Sequence, residues 1–207
     1  RFRSPENAIL YLKTLLSRHP QIKFINFRDA IFNMFPDWFD RFIDMYKEEI
    51  GLPCTGNIRF DILTEETVKR MKDAGFYTID MGLESGDQEM RFKYLRRYQT
   101  DEMIINCSNW FHKYGIAQLT YNIIGLPYED IHRALKTIKL NAKIKSDRTI
   151  PNIFYPYEGT PLYDIEAGGI YPGGRLYQAE SSADTAAVSR GAGTVYRGVL
   201  HAFCAPL

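Results

Sequence analysis

Cysteine is scarce and dispersed in this sequence. Cys54, Cys107 and Cys204 are the only three among 207 residues, an odd number at wide spacing, which argues against a disulfide framework and against any short metal-binding cysteine pair. Reduced thiols are the expected state. The four histidines, His19, His112, His132 and His201, are equally scattered. None stands at helical i, i+4 spacing from another, so spacing points to no histidine metal site. Net charge is also nearly absent, at +1, which leaves no global field to recruit nucleic acid or an anionic membrane. No apolar run approaches the roughly 18 residues a membrane helix needs, and no signal peptide opens the chain. The expected compartment is the cytoplasm, with no membrane partner and no specific nucleic-acid signal.

The composition that is present, 45% apolar and 25% charged, is that of a globular chain with room for one large domain. Ser4-Pro5-Glu6 is a helix start, with Ser as N-cap, Pro at the first helical position and an acid in the first turn. Ala8, Ile9, Leu12, Leu15 and Leu16 then share one face to about Arg18. Ile22 to Phe27 reads as a strand ending in Arg28-Asp29, and Pro36-Asp-Trp opens an amphipathic helix to about Ile50. Gly51 to Gly56 reads as a loop, Asn57 to Asp61 as a strand, and Thr64 caps a helix that stops at Gly75.

The chain is organised around Thr78-Ile-Asp-Met-Gly-Leu-Glu-Ser-Gly86, an apolar strand running into a polar tip. Gly82 and Gly86 are expected to turn the backbone with positive φ and to let a ligand approach it. Helices follow over about Gln88 to Leu95 and Thr100 to Tyr114, the latter ended by Gly115. Ala117 to Ile124 is a buried strand broken by Gly125-Leu-Pro127. Glu129 to about Ile144 is a helix, and Ile153-Phe-Tyr155 is the last strand.

Five strand and helix repeats after an opening helix predict parallel β/α units with crossovers packed on a sheet. Ligands in such folds sit at the carboxyl ends of strands. Those ends carry Asp29, then Arg59 with Asp61, then Glu84 with Ser85, then Gly125 to Glu129, then Tyr155 to Glu158. The strands themselves are mostly apolar, so the five ends are expected to line one mouth. An aldolase or metal hydrolase would need a lysine or a histidine cluster there, and neither is present. From about Ala167 the character changes: residues 168–207 hold seven of the 15 glycines and no lysine. A poorly ordered tail and a joined or out-of-frame segment from Tyr171 are the two readings of that stretch. The domain division is therefore 1–166 and 167–207.

Phe-Arg-Asp after the first strand, Asn57-Ile-Arg59, Met81-Gly-Leu-Glu-Ser-Gly86, Arg97-Tyr-Gln-Thr100, Ile124-Gly-Leu-Pro-Tyr-Glu129 and Tyr155-Pro-Tyr-Glu-Gly-Thr-Pro161 resemble, in order and spacing, the core of radical S-adenosylmethionine (SAM) enzymes. The resemblance covers about residues 1 to 166. It implies an α/β fold, a partial (β/α)6 TIM-like barrel, here with the first strand missing. In that family a Cys-x3-Cys-x2-Cys loop after the first strand holds a [4Fe-4S] cluster, whose fourth iron binds SAM. Electron transfer then cleaves SAM to a 5′-deoxyadenosyl radical that abstracts hydrogen from substrate. This sequence has no such triplet, so it reads as a fragment that begins near the first barrel helix and is inactive alone. The closest variety often carries an N-terminal cobalamin-binding domain, which adds cobalamin, outside this chain, to the cofactors the resemblance implies.

Residue by residue, the resemblance places Glu84 and Ser85 near the ribose hydroxyls or the methionine end of SAM. It places Arg97, or Arg96 if the register slips by one, on the SAM carboxylate, a contact suited to the guanidinium fork. Ile124, Gly125 and Leu126 match the segment that packs on adenine. Asp29 lies where the family positions groups for the methionine amine, and an N-cap role fits it equally. Arg59 faces the pocket or pairs with Asp61 or Asp80. The parent enzyme would be an oxidoreductase or a methyl or methylthio transferase, with a reductant for the cluster and an unidentified small or macromolecular substrate. The alternative is a cluster-free SAM-binding or partner-binding module.

Overall fold

The computed structural model describes residues 3–167, so the expected tail over 167–207 lies, apart from Ala167, outside the described residues. Local chemistry sets most helix ends. In α1 (Pro5–Arg18) the Ser4 side chain accepts the Asn7 N–H at 3.3 Å, and Ile9 and Leu12 turn inward. Pro36 opens α2 (Pro36–Glu49), which buries Phe39, Phe42, Ile43 and Tyr46. Thr64 caps α3 (Glu65–Ala74), and Gly75 ends it at φ 107°. Asp87 caps the short α4 (Gln88–Lys93), while Thr100 and Gly115 bound α5 (Asp101–Tyr114). Helices α6 (Ile131–Lys143) and α7 (Pro161–Ala167) complete the set.

The strands are β1 (Ile25–Phe27), β2 (Cys54–Gly56), β3 (Thr78–Glu84), β4 (Ala117–Ile124) and β5 (Arg148–Ile153). β1 pairs with β2 in parallel, Ile25 opposite Cys54. Parallel bridges from Cys54 to Phe76 and from Asn57 to Asp80 lead on to β3, which neighbours β4 and then β5. Strands joined in chain order through helices form the α/β architecture of an open, partial β/α barrel.

Two strands lie away from their expected places. β2 occupies the stretch read as a loop, while Phe60 and Asp61, expected at the end of a strand, fall in a 3-10 turn over Phe60–Ile62. Cys54, Thr55 and Gly56 are buried, and Cys54 pairs with Ile25 of β1 on one side and bridges to Phe76 on the other; this pairing overrides the stronger β-propensity of Ile58 and Phe60. β5 begins at Arg148, five residues before the expected strand.

The described residues divide into two compact units, the first comprising 3–82, 99–120 and 144–148, the second 83–98, 121–143 and 149–167. The first is built on aromatic rings. Phe27 stacks on Phe32 at 4.4 Å and meets Phe42 and Tyr46 edge-on, and Trp38 stacks on Phe42 at 5.1 Å. In the second, Met90, Leu126 and Phe154 form one buried cluster and Ile124 with Ala134 another.

Candidate functional site

Alternation along β3 decides which side chains are available. Ile79, Met81 and Leu83 are buried, whereas Thr78, Asp80, Gly82 and Glu84 are half-buried, as expected of a strand with one covered and one open face. Glu84 is thus the last open-face residue before the chain turns. The turn is tight: the Ser85 N–H donates to the Leu83 carbonyl at 2.8 Å across Glu84, whose φ is +65°. An i to i+2 bond about a positive φ is the strained form of γ-turn.

This corrects the expectation for the two glycines. Neither Gly82 nor Gly86 has a positive φ; the non-glycine residue Glu84 takes it. Gly86 is needed for space, because a Cβ there would lie 2.3 Å from the Lys136 carbonyl oxygen of α6. Its N–H donates to the Thr137 hydroxyl at 2.8 Å, so the turn is pressed against α6.

Glu84 pairs with Arg97, whose Nη2 lies 2.9 Å from its Oε1. Burial pushes the Glu84 carboxyl above its ordinary pKa, and the Arg97 charge opposes that shift. Of the two arginines allowed by the register, Arg97 is therefore the one that meets Glu84. Arg96 is exposed at φ +51°. Ser85 is fully buried, and its hydroxyl accepts the Asp87 N–H at 3.2 Å. Asp87 in turn caps Met90 and meets Lys136 at 2.7 Å. Burial pushes Asp87 up, but Lys136 and the Met90 N–H outweigh it and hold the carboxyl below its usual range.

The expected adenine segment falls in the same compact unit. The Ile124 side chain is buried with Ala134 and Ile138 of α6, and Leu126 with Met90 and Phe154. Gly125, at φ +85°, is the part of the segment that remains half-buried. Its N–H donates to Glu129 Oε2 at 2.6 Å. Glu129 is 8% exposed, and burial pushes its pKa up to about 7 against the pull of the Gly125 and Leu126 N–H groups. Sequence reading missed this role and placed Glu129 at the start of the helix, which begins instead at Ile131. An acid four residues after a glycine strand break is the signal that was available.

Asp29 belongs to the first unit, where it is exposed and its carbonyl accepts the Asn57 amide at 2.7 Å. Arg59 pairs with Asp61, its Nε 2.9 Å from Oδ1, while Asp80 is approached by Arg28 at 3.9 Å. The described cysteines do not suit an iron–sulfur cluster. Cys54 is buried in β2, its thiol pushed up to about 12 by burial, and Cys107 is buried in α5 with its pKa raised for the same reason. Cluster ligands are thiolates. Among the described residues no three His, Cys, Asp or Glu side chains gather where they could hold a metal ion. No helix among them is long and apolar enough to cross a membrane.

Comparison with known proteins agrees with this architecture. An uncharacterized methyltransferase of Pyrococcus horikoshii is 28% identical over 144 residues, 69% of this chain and 31% of that protein. Biotin synthase of Chlamydia pneumoniae is 27% identical over 128 residues, 61% of this chain and 38% of its own length. The chain thus spans about a third of the length of these relatives. Among solved structures, the radical SAM methyltransferase TsrM of Kitasatospora setae, with tryptophan substrate and a SAM analogue bound, superposes with a TM-score of 0.70 at 15% identity, covering 81% of this chain and 33% of that one. Coproporphyrinogen III oxidase of Escherichia coli gives 0.59 at 16% identity, covering 75% and 39%. Such identities speak for the fold alone. The sequence profile of the Radical SAM superfamily matches residues 1–140, and the chain belongs to that superfamily.

Proposed function

We propose that this chain is the SAM-holding part of a radical SAM enzyme, and that Arg97 and Glu84 take the amino-acid end of SAM. The observation that carries this reading is the Glu84–Arg97 pair, 2.9 Å apart at the open end of β3. A carboxylate beside a guanidinium offers complementary charges to an α-amino carboxylate. Arg97 can add a ligand carboxylate because its guanidinium has five donors and is not exhausted by one oxygen. Glu84, desolvated on its strand, gains from a second cation, the α-ammonium group of the ligand. Gly125 presents bare backbone within the segment assigned to adenine, while Ile124 and Leu126 build the wall beneath it. Ser85 holds the turn that aims Glu84.

Bound SAM supplies, on reductive cleavage at the family's [4Fe-4S] cluster, the radical that starts chemistry on a substrate. The described residues do not fit the cluster itself, so the role assigned to this chain is confined to SAM. Cobalamin, an electron donor and the substrate belong to the whole enzyme as part of the same proposal.

Calorimetric titration of SAM into the chain tests it. Arg97→Ala should weaken binding by roughly 1.5 to 3 kcal/mol, the scale of a hydrogen bond to a charged group, or about ten- to 150-fold. Glu84→Gln should also weaken it without loss of fold. Unchanged affinity in both Arg97→Ala and Arg96→Ala would overturn the assignment.

A further inference from the structure

Arg91 is the largest fully buried side chain of the described residues, with 0% of its surface exposed. It sits on α4, beside the Met90 that anchors the apolar cluster with Leu126 and Phe154. A guanidinium in such a place carries a large desolvation cost unless it is engaged, and a methionine or leucine would fill the volume without that cost. Its geometry shows what it is engaged in. Nη1 donates to the Ser85 carbonyl at 2.7 Å, and the Arg91 backbone carbonyl accepts the Arg97 N–H at 2.8 Å. The side chain therefore holds the turn that carries Glu84, relative to a main-chain segment at position 91 that also fixes Arg97 and is independent of the side chain.

The turn needs such a grip. Glu84 is a non-glycine residue at φ +65° with an i to i+2 bond across it. A positive φ is strained for a residue with a side chain and persists only where the surroundings over-determine it. Two contacts do so on the far side of Glu84: the Arg91 bond to the Ser85 carbonyl and the Gly86 bond to Thr137. The Thr137 contact fixes the turn against α6 but has no link to Arg97. Arg91 has both.

We propose that Arg91 is a positioning residue of the SAM site, setting the separation of Glu84 and Arg97 so that the two match the amino-acid end of the ligand. This rests on the reading of that pair given under Proposed function. Arg91 touches no ligand in this scheme, and its side chain acts through the turn it holds. Its effect should therefore be confined to ligands that have an amino-acid end.

The test compares SAM with 5′-methylthioadenosine, which shares the adenosine and the sulfur but lacks the amino-acid portion. Both are titrated into the full chain and into its Arg91→Met and Arg91→Lys variants, with thermal unfolding measured alongside. Arg91→Met should weaken SAM at least tenfold and change methylthioadenosine less than twofold. Arg91→Lys, which keeps the charge and loses the fork, should fall between. Should Arg91→Met fail to fold, Arg91→Lys carries the test, with at least a threefold loss for SAM alone. Equal losses for the two ligands would show a merely structural role and overturn the inference, as would unchanged SAM affinity in variants of a chain that binds SAM normally. Failure of the unmodified chain to bind SAM would overturn the site reading itself, and this inference with it.

Discussion

Glu129 shows how one side chain ties the site to pH. Its carboxyl is raised from an ordinary 4.5 to about 7, chiefly by burial, so the folded state holds a proton that the unfolded state has released over that interval. Its favourable contribution is complete below about pH 4.5 and is lost as pH rises through about 7. The full shift corresponds to about 3 kcal/mol. Glu129→Gln keeps an acceptor for the Gly125 N–H but cannot ionise. Its stability, followed by urea unfolding, should fall less steeply between pH 4.5 and 7 than that of the unmodified chain. Parallel profiles would show that the carboxyl does not titrate in this range. Glu84 is raised by burial too, with the Arg97 charge opposing that shift.

Among the turns that join the elements, glycines serve two different purposes, and substitution should separate them. At Gly115 the backbone is left-handed, φ +65°, and an added Cβ would meet little beyond the flexible end of Lys72 at 3.7 Å. Gly115→Ala should therefore cost only the conformational penalty, about 1 to 2 kcal/mol. At Gly86 the φ is unexceptional, but the Cβ would strike main-chain atoms of Lys136 and Thr137 at 2.3 to 2.4 Å. Backbone cannot yield as a lysine tip can. Gly86→Ala should cost about 3 kcal/mol or more and should also weaken SAM binding, because the turn it displaces carries Glu84. Chemical unfolding with a parallel SAM titration checks both variants, and equal stability losses would refute the distinction. The helix-facing side of β4 is similarly particular. Gln118, Thr120 and Asn122 are all fully buried there, with Thr120 meeting Ser146 at 3.1 Å and Asn122 accepting from Asn141 at 2.9 Å. Asn122→Leu would leave the Asn141 amide short of an acceptor and should cost about 1 to 3 kcal/mol.

For the whole molecule, the family's chemistry and the donor set of this chain pull apart. Members of the superfamily use SAM with an iron–sulfur cluster, yet the two described cysteines are buried thiols in separate elements. Reconstituted anaerobically with iron and sulfide, the chain should hold far less than the roughly four irons of a complete cluster. Its affinity for SAM, as far as Glu84 and Arg97 supply it, should be the same before and after that treatment. A brown protein with about four irons per chain would require a ligand set that the described residues do not provide.

Much of this was legible in the residues. Ser4, Thr64 and Thr100 announce helix starts, Gly75 and Gly115 announce stops, and the alternation of apolar strands with amphipathic helices announces parallel β/α units; each is a local signal, carried by side chains that act within one turn of themselves. Polar residues at strand ends likewise marked Glu84 as a candidate, and the family resemblance marked Arg97. Tertiary structure decided what depends on neighbours distant in sequence. It placed β2 in Cys54 to Gly56, paired with β1 and bridged to Phe76, and it drew Glu129 back onto Gly125. It also assigned Gly86 to close packing against α6 and gave the positive φ to Glu84. Above all it buried Arg91, which reads in sequence as one more charge on a short polar helix; only the fold shows the Ser85 carbonyl on one side of it and the Arg97 amide on the other. A sequence records which groups can bond, but the cost of burying a charge and the strain a turn can bear are set by everything packed around them.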